Sequence, residues 1–460
     1  MRDTHPSDKD LSDEPRRDRH AWLKRSWVVP FCKLAIANTI SNLMVPLAGL
    51  VDTAFLGHLE DVRYLNGVAI ANIIFNVIYW SFNFFRMGTT GPTAQAVGQE
   101  NLAQVWLIAV RNAILALGVG LVVLLLREPI AAVGFSLLQA ESGTRSAAMD
   151  FYSGRILGAP AVLVNFVLLG WLLGQSKGKQ VVALAVVGNF GNIALDYCFI
   201  RILGWGSYGA GLATALSQYL MLAVAISLIF FSGIPWRLWP QITPHLWRLE
   251  ALKRLFALNT DILIRTFALV TSMSLFTSLS AGMGDTVLGV SALMMQVVLM
   301  AAHFMDGIAL AVESYAGNFY GQRRRDDLYW LLALGTVGSI FIGLAIALTL
   351  LIWPAPFFDL LTVHTELVEQ IPRYVAWLIP VLGLGAIAFT LDGYFLGLTA
   401  SRILRNATLT AALVGFLPLA LLASYVGSFH LLWLALSGLM LTRVITLGSK
   451  VKPTLRPGSG

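Results

Sequence analysis

The sequence predicts an all-α polytopic membrane protein, with twelve transmembrane helices in two six-helix lobes related by pseudo-two-fold symmetry about the membrane normal. Three observations carry that expectation. Of the 460 residues, 57% are hydrophobic and only 12% charged, and the mean hydropathy is +0.72, more apolar surface than a water-soluble fold buries. Apolar runs of about 20 residues, the length that crosses a bilayer core, recur from about residue 27 to about residue 448. The halves also echo one another at a shift of about 222 to 223 residues: "LNGVAIANI" at 65–73 matches "LGVSALMMQ" at 288–296, and "AVGQENLAQ" at 96–104 matches "FYGQRRRDD" at 319–327.

The elements follow in order. Residues 1–26 carry charge of both signs and no apolar h-region, so they read as a cytoplasmic tail rather than a signal peptide. A short amphipathic anchor around Trp22 to Trp27 is the alternative. Six runs at 27–57, 66–95, 103–127, 148–172, 180–200 and 208–232 form an N-lobe of residues 27–235. Some exceed 25 residues, which implies tilt or helix reaching beyond the lipid. The second is expected to break near its end, at the glycines and Pro92 that follow Arg86. Residues 236–255 lie in "SGIPWRLWPQITPHLWRLEALKR", whose prolines, tryptophans and basic residues suit a cytoplasmic linker at the membrane interface. Runs at 256–280, 287–315, 328–352, 371–397, 404–424 and 431–448 form a C-lobe of residues 256–450, leaving 451–460 as a cytoplasmic tail. Six is an even number, so both halves enter the membrane from the same side and can enclose a central cleft.

With the N-terminus inside, the inner segments collect most of the basic residues, among them Lys24, Arg25, Lys177, Lys179, Arg237, Arg248, Arg323 to Arg325, Arg402, Arg405, Arg443 and Lys450. The outer segments hold little beyond Arg63, Arg127, Arg145, Arg201 and Arg373. This is the positive-inside asymmetry, and it predicts a multi-pass protein of the cell inner membrane with both termini cytoplasmic. The net charge of +7 is therefore topological, and no nucleic-acid partner is expected. The two cysteines, Cys32 and Cys198, fall at opposite ends of their helices and suggest neither a disulfide nor a metal site. Of the histidines, only His303 falls inside an apolar run, and it lacks a second ligand at helical spacing.

A carboxylate inside a span costs roughly 3 kcal/mol on insertion scales. Asp52 and Asp196 each lie about five residues from the outer ends of spans one and five, Asn192 is one turn deeper than Asp196 on the same face, and Thr214 is about six residues into span six. Four oxygen-bearing side chains thus share one depth, which suits a proton or small-cation site, with Na+ at the Asp52/Asp196 pair as the metal-ion variant. Hydrogen bonding between helices is the plainer reading of the same residues. Pro46 removes a backbone hydrogen bond six residues before Asp52, as a hinge or as a static kink. In the second half, Asp261 and Arg265 are four apart on span seven, Asp306 and Glu313 seven apart on span eight, and Asp392 lies deep in span ten. These form either buried ion pairs or a second relay, led by Asp392 and Asp306. Arg86 stands as the only basic residue well inside the first lobe, with no partner evident in sequence. Phe75, Tyr79, Phe82 and Met295 could line the cleft, although packing is the default for such side chains.

The stretches "VPLAGLVDTAFLGHL", "RMGTTGPTAQAVGQ", "LLGWLLG", "GNIALDYCFI", "MDGIALAVES" and "LDGYFLGL" occur in the order found in the multidrug and toxic compound extrusion (MATE) transporters. The chain resembles that family, in its DNA-damage-inducible (DinF-type) branch, over nearly all of residues 27–448. The resemblance implies a two-lobed exporter exchanging lipophilic, often cationic organic compounds against H+ or Na+, with no cofactor and no enzymatic activity. It implies that Asp52, Asn192, Asp196 and Thr214 form the coupling site and that Pro46 is the kinking proline. Asp392 matches a second-lobe acid of another branch, whereas Asp261 paired with Arg265 departs from that branch's glutamate. Small organic molecules and membrane lipids are the expected partners of a monomer. A lipid-linked precursor flippase of the same superfamily is the alternative; it would need several basic residues in the cleft, where only Arg86 and Arg265 are available.

Overall fold

The computed structural model describes residues 25–57, 61, 63–136, 138, 142–362 and 364–455. Eleven helical segments are long and apolar enough to cross a membrane, and Val28–Gly57 makes the twelfth. In chain order they are α1 Val28–Gly57, α2 Arg63–Gly98, α3 Leu102–Leu125, α4 Ser142–Gly174, α5 Gly178–Ile202 and α6 Gly206–Phe231, then α7 Leu249–Gly282, α8 Asp285–Gly321, α9 Arg325–Ile352, α10 Val375–Gly397, α11 Ser401–Val426 and α12 Phe429–Thr454. All are helical because a backbone in lipid must satisfy its own hydrogen bonds within the segment. Only short turns separate most of them. Between α11 and α12, Gly427 takes a left-handed φ of +68° and Ser428 caps the next helix by accepting from the Leu431 N–H.

Each half has a core of its own, and a further apolar cluster is shared, with Trp27, Phe31 and Leu34 of α1 packed among Phe319, Leu328 and Phe395 of the second half. In the first lobe Phe75 is fully buried, stacked between Tyr79 and Tyr152 at centroid separations of 5.6 and 5.4 Å. Phe75 is therefore packing, not cleft lining, and Met295 packs on the apolar core of the second lobe. Trp433 and Phe276 cross edge to face at 5.2 Å within that second core.

The two lobes meet along a seam at the end that carries the chain's first helix turn and the inter-lobe connection. Hydrogen bonds, ion pairs and ring contacts between the described residues of the two lobes involve α1 from its start to Asn42 and α8 from Asp306 to Phe319. Along α1, 15 residues at about 1.5 Å each carry the contact through roughly half of the 30-residue helix. Glycines set the closeness. A Cβ at Gly98 would collide with the carbonyl oxygen of Asn318, at Gly91 with that of Leu396, and at Gly307 with Thr39. This explains a departure from the expected α2. The chain breaks not at Pro92 but at Asn83, between helical segments Arg63–Phe82 and Phe84–Gly98, because the glycines after Arg86 admit neighbouring backbones instead of ending the helix.

Gly98→Ala is expected to wedge this seam open. Disulfide formation in a Gln95→Cys/Thr399→Cys pair, which spans the seam where Gln95 now donates to the Thr399 hydroxyl at 3.3 Å, should fall several-fold when Gly98→Ala is added. An unchanged yield would show that the seam tolerates the methyl group.

The N-terminal end bears on the anchor alternative. The Trp27 ring is buried against Phe31, Tyr315 and Phe319, and its Nε1 donates to Asp327 Oδ1 at 3.0 Å. Arg25 joins the same carboxylate and Arg324 closes on its other oxygen. Trp27 is thus a cross-lobe anchor, not a membrane anchor. Trp22 and the rest of residues 1–24 lie outside the described residues. The connection between lobes folds into the short turns Trp236–Leu238, Trp239–Ile242 and Thr243–His245, and α7 already begins at Leu249.

Candidate functional site

In the first lobe, α5 packs between α1 and α6 through small residues. Gly178 faces Leu34 and Ala37 of α1, while Gly188 faces Met221 and Gly191 faces Leu220 of α6. On α5, Asn192 is 5% exposed and Asp196 fully buried, one turn apart on one face. Asn192 Nδ2 has no hydrogen-bond partner among the described residues. Immediately after Asp196 the backbone widens into π-helical turns over Tyr197–Ile202, a local irregularity often found at functional positions. Thr214, half-buried on α6, donates its hydroxyl to the Ala210 carbonyl at 3.0 Å, so it bonds its own helix. Asp52 lies on α1, which runs unbroken through an exposed Pro46, but its side chain falls outside the described residues. The three helices expected to share the site are therefore neighbours, with Asn192 and Asp196 facing the lobe interior.

The second lobe distributes its charges differently from the sequence spacing. Asp261 and Arg265, one turn apart on α7, do not pair with each other. Asp261 accepts from the Ser401 hydroxyl at 2.8 Å and from Arg405 Nη1 at 2.6 Å, both on α11. Arg265 instead binds Asp392 of α10, and Arg443 of α12 binds the same Oδ2. Asp392 is 3% exposed and Arg443 only 1%. Ion pairs thus tie α7 to α10 and α11, and α10 to α12, and a carboxylate engaged by two guanidiniums is held as a structural element.

The seam holds the remaining acids. Asp306 accepts from Asn42 Nδ2 of α1 at 3.1 Å and faces Arg86 Nη2 of α2 at 4.0 Å, which gives Arg86 the partner the sequence did not name. Arg86 Nε also reaches Asn83 Oδ1 at 3.3 Å. Two turns further along α8, Glu313 is 1% exposed, with Oε1 lacking a hydrogen-bond partner among the described residues and the Thr90 hydroxyl of α2 facing it. The next residue, Ser314, donates across the seam to Leu173 O at 2.6 Å. The acids of α8 therefore touch the first lobe, unlike those of α7 and α10.

Three arginines escaped the sequence reading. Arg443 was counted with the inner segments but is sealed inside α12; the apolar residues on both sides in "LMLTRVITL" were the available signal. Arg86 is not alone in the first lobe. Arg111 of α3 is buried, and Arg155 of α4 lies over the Phe75 ring at 4.6 Å while binding Asn72.

The MatE family profile matches the chain twice, over residues 38–198 and 262–422, once in each half. DNA damage-inducible protein F of Escherichia coli is 34% identical over 420 residues, covering 90% of each chain. Among solved structures, a MOP superfamily transporter of Pyrococcus furiosus described as having a binding pocket of reverse polarity superposes with a TM-score of 0.83 at 20% identity, over 93% of this chain and 96% of the other. An outward-facing MATE family multidrug resistance transporter superposes with a TM-score of 0.82 at 19% identity, over 92% and 96% of the two chains.

Proposed function

The chain belongs to the MatE family of membrane transporters, and from that premise we propose that it is a secondary active multidrug efflux antiporter of the inner membrane, exporting lipophilic, often cationic organic compounds in exchange for H+ or Na+. It is a transporter and not an enzyme. The observation that supports the reading best is mechanical: two lobes, each with a core of its own, share an apolar cluster and a hydrogen-bonded seam at one end, where Trp27, Asn42 and Gln95 bond across. Under the positive-inside topology that end is cytoplasmic, which supports an outward-open state within an alternating-access cycle.

In this state Asp52, with Asn192, Asp196 and Thr214, takes up the ion. Two nearby carboxylates in low dielectric favour either a shared cation or a bound proton. Losing negative charge weakens the hold on a cationic substrate, and bending of α1 at Pro46 couples substrate release to ion entry. The ion drives this only by binding one state better than the other.

The test is substrate efflux from proteoliposomes under an imposed pH gradient and, separately, a sodium gradient. One gradient is expected to drive accumulation against the substrate's own gradient while the other does not. Efflux indifferent to both would refute antiport.

A further inference from the structure

A cavity of about 430 Å³ opens beside the seam, bounded by the end of α2, the start of α3, the inter-lobe connection and the start of α7. Ile108, Leu255 and Leu258 contribute apolar lining. Its wall and mouth carry three guanidiniums, Arg111, Arg248 and Arg254, against one carboxylate, Glu250. Arg111 is 9% exposed and donates only to the uncharged carbonyls of His245 and Leu246, so its charge has no counter-ion among the described residues. The exposed side chains of Arg248 and Arg254 make neither an ion pair nor a hydrogen bond with any described residue. A buried cation facing a cavity with two further unpaired cations at its mouth is an incomplete electrostatic arrangement.

We propose that this cavity binds the phosphate group of an anionic phospholipid. The phosphate completes the charge of Arg111, Arg248 and Arg254, and an acyl chain lies against Ile108, Leu255 and Leu258. A lipid suits the site better than a free phosphorylated solute because the flanking connection exposes Trp236 and Trp247, and Phe256 follows on α7, the amphipathic and apolar side chains that settle at a membrane interface. Basic pockets between transmembrane helices are a known form of such recognition. The cavity takes walls from both lobes, with Gln95 on α2, Gln99 just past it, Arg254 on α7 and Thr399 just past α10. A bound lipid therefore bridges the seam and favours the conformation closed at this end, whatever the substrate or coupling ion.

The experiment places the full-length protein in nanodiscs of phosphatidylcholine alone or with phosphatidylglycerol, and reads both the unfolding temperature and the phosphatidylglycerol retained. Phosphatidylglycerol should raise the unfolding temperature of the wild type. An Arg248→Gln/Arg254→Gln variant, altered at exposed positions, should lose that rise and bind the lipid roughly thirtyfold more weakly, about fivefold per arginine. An equal rise in variant and wild type would overturn the proposal by making the effect a general surface one. A rise reproduced by inorganic phosphate in phosphatidylcholine discs would overturn the lipid as occupant.

Discussion

Asp52→Asn and Asp196→Asn are each expected to reduce substrate-for-ion exchange in proteoliposomes to background while the protein still folds and purifies as a single species. Asn keeps the shape of Asp but carries no charge and takes up no proton, and Asp196 is fully buried, so the loss of its charge is felt at full strength by any ion beside it. An exchange cycle needs a group that holds the ion in one state and gives it up in the other. Binding of a cationic substrate, measured separately, should weaken in both variants, because Asn lacks the negative charge that holds it. Full exchange by Asp196→Asn would remove α5 from the coupling site, and full exchange by Asp52→Asn would sink the mechanism.

Asp392→Ala should do something different: destabilise the fold outright. It leaves Arg265 and Arg443, 7% and 1% exposed, in the second lobe without their shared carboxylate. Breaking a buried ionic set from one side costs about 3–5 kcal/mol, whereas replacing every member with apolar residues of similar volume is often close to neutral. The triple variant Asp392→Leu/Arg265→Met/Arg443→Met is therefore expected to recover most of the unfolding temperature that Asp392→Ala loses. Asp261→Asn should lose less, because Arg405 is about a third exposed and can turn to water. If Asp392→Ala unfolds at the wild-type temperature but fails to transport, the carboxylate works in the transport cycle and not in the scaffold.

The helices were legible from hydropathy, because a span in lipid needs a length and an apolar composition that neighbours along the chain supply by themselves; their ends were less so, and α7 runs from Leu249 to Gly282 where 256–280 is expected. The partners were not legible. Asp261 and Arg265 have the spacing of an intrahelical pair, yet each found a stronger contact across the bundle, at Arg405 and at Asp392. Arg86 had no partner in its own half because its partner, Asp306, lies in the other. The glycines after Arg86 suggested a broken helix and instead permit close helix contact, a distinction invisible without the opposing backbone.

By itself, then, the sequence determined the membrane-spanning class, the two-fold repeat and the identities of the costly intramembrane acids, since all three depend on composition and local spacing. Tertiary structure decided which of those charges are paired off as scaffold, which face the seam, and that the lobes close at one end. Those outcomes depend on which helix faces meet, and residues such as Arg265 and Asp392, or Arg86 and Asp306, become neighbours only when the helices pack.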